Sequence, residues 1–166
     1  FAQSVTLTVD ATRAIGPISP FVYGTNQPDW IARRGATLVR WGGNRTTAYN
    51  WENNASNAGS DWQHQNDAYL GGGETPLEAL RPRLADGFAN GAVPLVTIPM
   101  IGYVAADKNG GGDVNQSSNY LQTRFRRMLP RKATKLSVSP NKNDAFVYAD
   151  EMAFAVTRKF PGRPVW

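Results

Sequence analysis

Residues 40–57 read RWGGNRTTAYNWENNASN. Gly42-Gly43 lets backbone approach a ligand closely. Asn44, Asn50, Asn53 and Asn54 offer paired donors and acceptors, and Arg45 offers a fork of N–H donors. Tyr49 and Trp51, followed by Trp62 and Tyr69, add flat apolar faces. A sugar ring has a hydroxyl rim and apolar C–H faces, which amides and aromatic platforms match. A phosphate site would instead place Lys or Arg in a glycine-rich loop ahead of a helix, and GGNR lacks that spacing. A plainer reading also fits: Asn and Gly mark a structured loop whose side chains satisfy its own backbone.

Such a stretch needs regular elements to hold it. Val5-Thr6-Leu7-Thr8-Val9 alternates with period two, as a half-buried strand does. Residues 18–24 give a proline turn and a short apolar run. Residues 36–41 and 93–101 give two more runs that read as buried strands. Thr75-Pro76-Leu77-Glu78 has the chemistry of a helix start, with Thr75 as N-cap, and Leu77, Leu80, Leu84 and Phe88 recur at helical spacing up to Asn90-Gly91. A second helix is expected over 144–160, with Ala145, Tyr148, Met152, Ala155 and Val156 on one face and Arg158-Lys159 in its last turn. Arg163-Pro164-Val165-Trp166 then begins another strand. Strands alternating with helices imply a parallel sheet and an α/β fold. Long polar loops follow the C-terminal ends of the strands, the face on which (β/α) barrels build their sites.

The totals set bounds. A length of 166 residues suits one domain, and 41% hydrophobic with 19% charged residues describes a globular chain. The net charge of +5 is small enough to be a solvated surface. Without cysteine there is neither a disulfide nor a thiolate metal site. No apolar run approaches the roughly 20 residues of a membrane helix, so no membrane partner is expected.

The segments ISPFVYGTN (18–26), RWGGNRTTAYNWENNASNAGSDW (40–62), TIPMIGYVAADKNG (97–110) and VYADE (147–151) resemble glycoside hydrolase family 44, a family of endoglucanases and xyloglucanases. The resemblance runs from about Val5 to Trp166. It implies the N-terminal half of a (β/α)8 TIM barrel over residues 17–166, stopping near strand four, with residues 1–16 giving a strand to an accessory β-sandwich domain. Retaining glycosidases use an acid/base and a nucleophilic carboxylate. In the family the acid/base Glu lies in an Asn-Glu-Pro motif at the end of strand four, and the nucleophile lies further on. No Asn-Glu-Pro occurs in this sequence. No catalytic residue is therefore assigned, and the isolated chain is expected to be inactive. The expectation is the N-terminal part of a retaining β-1,4-glucanase or xyloglucanase. The alternative is a non-catalytic polysaccharide-binding or self-associating structural protein derived from that fold. Half a parallel barrel leaves strand edges unpaired, so the expected partners are a β-glucan or xyloglucan and the remaining half-barrel, a second chain or another copy. Phe1-Ala2-Gln3 fits an A-x-A type signal cleavage, and with the resemblance it suggests a secreted protein.

By resemblance, Asn44 and Arg45 sit at the mouth of strand two and reach substrate or orient the catalytic carboxylates. Arg45 could equally form a salt bridge to Glu52 or another acid. Asn50 belongs to the same expected substrate site. Trp51 and Trp62 are candidate sugar platforms, with core packing an equal reading for Trp51. Tyr103 is a similar candidate at the mouth of strand three. Members of the family carry a structural calcium, for which Glu52 and Asp150 are the implied ligands, with backbone or amide oxygens completing the shell. Solvated or salt-bridged acids are the other reading, and no organic cofactor is expected. His64, alone of its kind, reads as a loop residue. Residues 124–135 carry six basic side chains, which read as the exposed end of a helix and a solvated turn; no nucleic-acid motif accompanies them. Asn44-Arg45-Thr46, Asn54-Ala55-Ser56 and Asn115-Gln116-Ser117 match the glycosylation pattern, which is common by chance.

Overall fold

The computed structural model describes residues 4–26, 29–30 and 35–166, so the cleavage pattern at the N-terminus lies outside the described residues. In chain order the elements are β1 (Gly24–Thr25), β2 (Leu38–Trp41), β3 (Ser56–Asn57), β4 (Asn66–Asp67), α1 (Arg81–Ala89), β5 (Val93–Val96), β6 (Tyr103–Ala105), α2 (Tyr120–Thr123), β7 (Phe125–Leu129), β8 (Phe146–Tyr148) and α3 (Ala149–Lys159).

The apolar runs supply a parallel sheet, but with less strand than expected: Pro20–Val22 form a 3-10 turn ahead of β1, and β5 stops at Val96, which leaves Met100 and Ile101 exposed. β1 pairs with β2, and β2 with β5, in the register Leu38↔Val93 to Trp41↔Val96. Trp166 extends this sheet: its N–H donates to Pro94 O at 2.9 Å and its carbonyl accepts from Val96 N at 2.6 Å, the alternation of a parallel pair. A parallel connection needs a crossover, and α1 supplies it between β2 and β5. The helix lies close on the sheet at Gly87, where a Cβ would come within 2.7 Å of Val39 Cγ1 and 3.4 Å of Pro94.

A second sheet is mixed. β6 and β7 run antiparallel, and β7 and β8 run parallel. A small antiparallel hairpin, β3–β4, pairs Ser56 with Asp67 and Asn57 with Asn66. Between the sheets and the helices lies one core, in which Tyr49, Trp51, Leu77, Leu80, Leu84, Val104, Val147 and Met152 are buried together.

Four local expectations change. Residues 4–10 form no strand, and Val5, Leu7 and Val9 are exposed, because no described segment lies alongside to pair with them. The first helix begins six residues after Thr75. Glu78 does reach back to the Thr75 N–H at 3.3 Å, but Leu77 has φ +64° and donates its N–H to Trp51 O at 2.8 Å. A tertiary hydrogen bond thus replaces the first helical turn. The second helix begins at Ala149, since Phe146-Val147-Tyr148, aromatic and β-branched, pair with β7 as a strand. Ala145 is exposed, while Met152, Ala155 and Val156 form the buried face as expected. The basic run 124–135 is no helix end: Phe125–Leu129 form β7, and residues 130–135 are irregular. Arg124, Arg126 and Lys132 turn to buried or half-buried acids rather than to solvent.

Candidate functional site

The parallel strand β2 ends at Trp41, and Gly42-Gly43 follow. The chain then tightens into a 3-10 turn, Asn44–Thr46, closed by the Thr46 hydroxyl donating to Gly43 O at 2.8 Å. This turn and the β3–β4 hairpin form the two sides of an open cleft. The hairpin can approach because residue 59 is glycine: its φ is +55°, and a Cβ there would stand 2.5 Å from Asn44 Oδ1. Asn44 fixes the contact by donating to Ala58 O at 3.0 Å.

Arg45 points into the cleft. Its guanidinium is ion-paired with Asp67 and lies over the Tyr69 ring, 4.0 Å from the centroid. The alternative in which Arg45 has an acid partner is therefore correct, with Asp67 rather than Glu52 as the acid. Burial raises the Asp67 carboxyl, but hydrogen bonds from Arg45, Gln65, the Tyr69 N–H and Ser56 outweigh it and hold the group below its ordinary value. Asp67 stays ionised at neutral pH and does not act as a general acid there. Trp62, near the hairpin tip, is 58% exposed and faces the same cleft. Trp41, Leu70 and Arg83 complete the walls.

Of the expected site residues, the structure brings Asn44, Arg45 and Trp62 together. It places Asn50 and Trp51 elsewhere. Both are fully buried: Asn50 donates to Ala105 O at 2.9 Å and accepts from the Glu52 N–H at 3.1 Å, and Trp51 is core. Neither presents a surface to a ligand. Tyr103 opens β6 in the second sheet and does not line this cleft.

The dense asparagines mostly serve the backbone. Asn54 uses all its capacity at once: Nδ2 donates to Gly73 O (3.0 Å) and Thr75 O (2.7 Å), and Oδ1 accepts from the Tyr49 hydroxyl (2.7 Å) and the Ala79 N–H (3.0 Å). Asn53 donates to Ala106 O at 2.9 Å. Only Asn44 of this group stands at the cleft.

Glu52 and Asp150, the implied calcium ligands, take different partners in this structure. Glu52 is buried against Arg126 at 2.6 Å, and Asp150 accepts the Lys132 N–H at 3.1 Å on both oxygens. Each carboxylate is committed to a different donor, and among the described residues no three His, Asp or Glu side chains converge as a metal cluster. Of the cleft residues, Asp67 and Gln65 carry no sequence signal, since a lone Gln65 or Asp67 in a polar loop has no periodicity or motif.

A mixed α/β scaffold with an aromatic and amide-lined cleft at the end of a parallel strand is a class that many enzymes share. The family model for glycoside hydrolase family 44 matches residues 55–162, and the chain belongs to that family. It is 39% identical over 166 residues to endoglucanase A of Paenibacillus lautus, covering 95% of this chain and 23% of that protein. Its fold is similar to the family 44 endoglucanase Cel44A of Clostridium thermocellum, with a TM-score of 0.78 and 36% identity over 87% of this chain and 29% of the other. A family 44 xyloglucanase of Paenibacillus polymyxa, solved with xyloglucan, gives a TM-score of 0.77 and 40% identity over the same shares. The chain thus spans less than a third of each of these relatives.

Proposed function

We propose that this chain supplies one wall of the polysaccharide cleft of a retaining β-1,4-glucanase or xyloglucanase. The observation that carries the reading is the convergence of Asn44, Arg45, Tyr69 and the exposed Trp62 on one open cleft. An aromatic face and hydrogen-bond donors in a fixed arrangement suit a sugar ring's C–H face and hydroxyl rim. The relatives' names, an endoglucanase and a xyloglucanase, support the polymer class.

In this reading the parallel order β1-β2-β5, continued by Trp166, is the start of a (β/α)8 barrel, and residues 5–9 join an accessory β domain. The complete protein cleaves by double displacement between two carboxylates. The residues of this chain bind and orient the glucan: Trp62 stacks on a ring, and Arg45 and Asn44 direct donors at hydroxyls. The acid/base and the nucleophile come from sequence that this chain does not contain. The apolar surface at Val96, Ile98, Val165 and Trp166 packs against the completing strands or a second chain, and the protein works outside the cell.

Affinity electrophoresis of the chain in xyloglucan tests the reading. Retardation is expected, and Trp62→Ala should weaken it about tenfold, a loss of ~1.4 kcal/mol. Because Trp62 is exposed, its replacement should leave the unfolding free energy within about 0.5 kcal/mol. Equal retardation of the two proteins would remove Trp62 from the site, and release of reducing sugar by the isolated chain would contradict the division of labour.

A further inference from the structure

We propose that Asp67 is a specificity-determining residue of this cleft: by neutralising and orienting Arg45 it reserves the site for uncharged glycan. The inference rests on the reading of the cleft as a β-glucan site.

Four donors meet at this one carboxylate. Oδ1 accepts from the Ser56 hydroxyl at 3.0 Å and the Tyr69 N–H at 3.1 Å. Oδ2 accepts from Gln65 Nε2 at 3.0 Å and from Arg45 Nη1. The donors come from both arms of the hairpin, from the residue that stacks under Arg45, and from the turn after β2. Asp67 therefore fixes both partners of the Arg45–Tyr69 stack, one through its side chain and one through its backbone. The segment it closes carries Trp62.

The charged side chains lining the cleft are Arg45, Arg83, Asp61 and Asp67, two of each sign. The pair at its centre is mostly shielded from water, with side-chain exposures of 16% for Arg45 and 13% for Asp67. A carboxylate on a ligand would have to displace an intramolecular carboxylate already held in place, and would meet its like charge. A hydroxyl faces no such contest, because the guanidinium carries further N–H groups beyond the one given to Asp67. Without the Asp67 charge, Arg45 becomes an uncompensated cation in a sheltered site, where it attracts a carboxylate.

The test compares binding of hydroxyethyl cellulose and carboxymethyl cellulose, which share a β-1,4-glucan backbone and differ in charge. Asp67→Asn and Asp107→Asn are each made in the full chain. Both remove one negative charge and free one arginine, but Asp107 holds Arg124, outside the cleft. Long-range attraction and general loosening are therefore common to the two. Asp67→Asn should shift the affinity ratio toward the carboxymethylated polymer by about tenfold, and Asp107→Asn should leave it within about twofold. Arg45→Gln, which makes the lining net negative, should shift the ratio the other way, and it decides the matter even if Asp67→Asn does not fold. A proportional loss on both polymers, equal shifts at Asp67 and Asp107, or no shift with Arg45→Gln overturns the assignment. Binding of neither polymer by the unsubstituted chain overturns the β-glucan reading, and this inference with it.

Discussion

At the residue scale, Arg126, on β7, gathers several buried polar partners away from the cleft. It donates to Glu52 Oε2 at 2.6 Å, to Asp144 Oδ1 at 3.1 Å, and to the carbonyls of Asp144 and Phe146, both at 2.8 Å. Burial pushes the Glu52 carboxyl above its ordinary value, and Arg126 pulls it back. Removing one member of such a buried pair is expensive because the other is left uncompensated. Arg126→Met should lower the unfolding free energy by about 3–5 kcal/mol. Glu52→Gln, which keeps an acceptor and removes the buried charge, should cost less. Urea denaturation of both variants checks the order, and an equal cost would mean that the pair contributes only packing.

At the element scale, α1 is held to the parallel sheet by an absence of side chain. A glycine inside a helix ordinarily costs up to about 1 kcal/mol against alanine. Gly87→Ala should nonetheless destabilise the chain by about 1–3 kcal/mol, because the new methyl would overlap Val39 Cγ1, itself buried. A rise in melting temperature would show that the helix can shift freely. The β3–β4 hairpin poses the opposite problem. Strands of two residues cannot hold themselves by backbone pairing. Asn57 makes up the deficit, donating to His64 O at 2.6 Å and Asn66 Oδ1 at 2.9 Å and accepting from Gly59 N at 2.8 Å. The side that carries Trp62 is thus shaped by side chains.

At the scale of the whole molecule, the buried carboxylates give the pH response its sign. Asp67 and Asp107 are both held below the ordinary 3.8: burial works upward, and hydrogen bonds, those from Arg45 and Arg124 first, outweigh it. The unfolded chain then takes protons before the folded one, so this stabilisation is complete above 3.8 and drains as pH falls through the lower folded values. Glu52, raised above 4.5 by burial, runs the other way and favours the folded state once protonated. With the exposed Asp10 and Glu74 also held low, four lowered carboxyls against one raised predict a net loss in acid. Melting temperatures from pH 5 to about pH 2 should fall, and the gap between wild type and Asp107→Asn should close below about pH 3.8. A gap that stays constant would mean that Asp107 contributes nothing through its charge.

The strand cores 38–41 and 93–96, the helical face of Met152, Ala155 and Val156, and the long shared segments with family 44 were all readable from the chain, though the apolar run past Val96 was not a buried strand. Periodicity and composition express burial directly, and burial is what those elements need. Nothing in the linear order said that Asn50 and Trp51 turn inward while Asn44 and Trp62 turn outward, because neighbouring amides and aromatics carry the same chemistry on either side of a loop. Only the tertiary structure paired Arg45 with Asp67 and Glu52 with Arg126, since those partners lie 22 and 74 residues apart and charge attraction leaves no periodic trace in sequence. It also cancelled the first turn of α1, where a hydrogen bond from Leu77 to Trp51 outcompeted a well-formed helix start. Composition sufficed to suggest a sugar as ligand, whereas three-dimensional packing determined which of the suggested residues line the cleft.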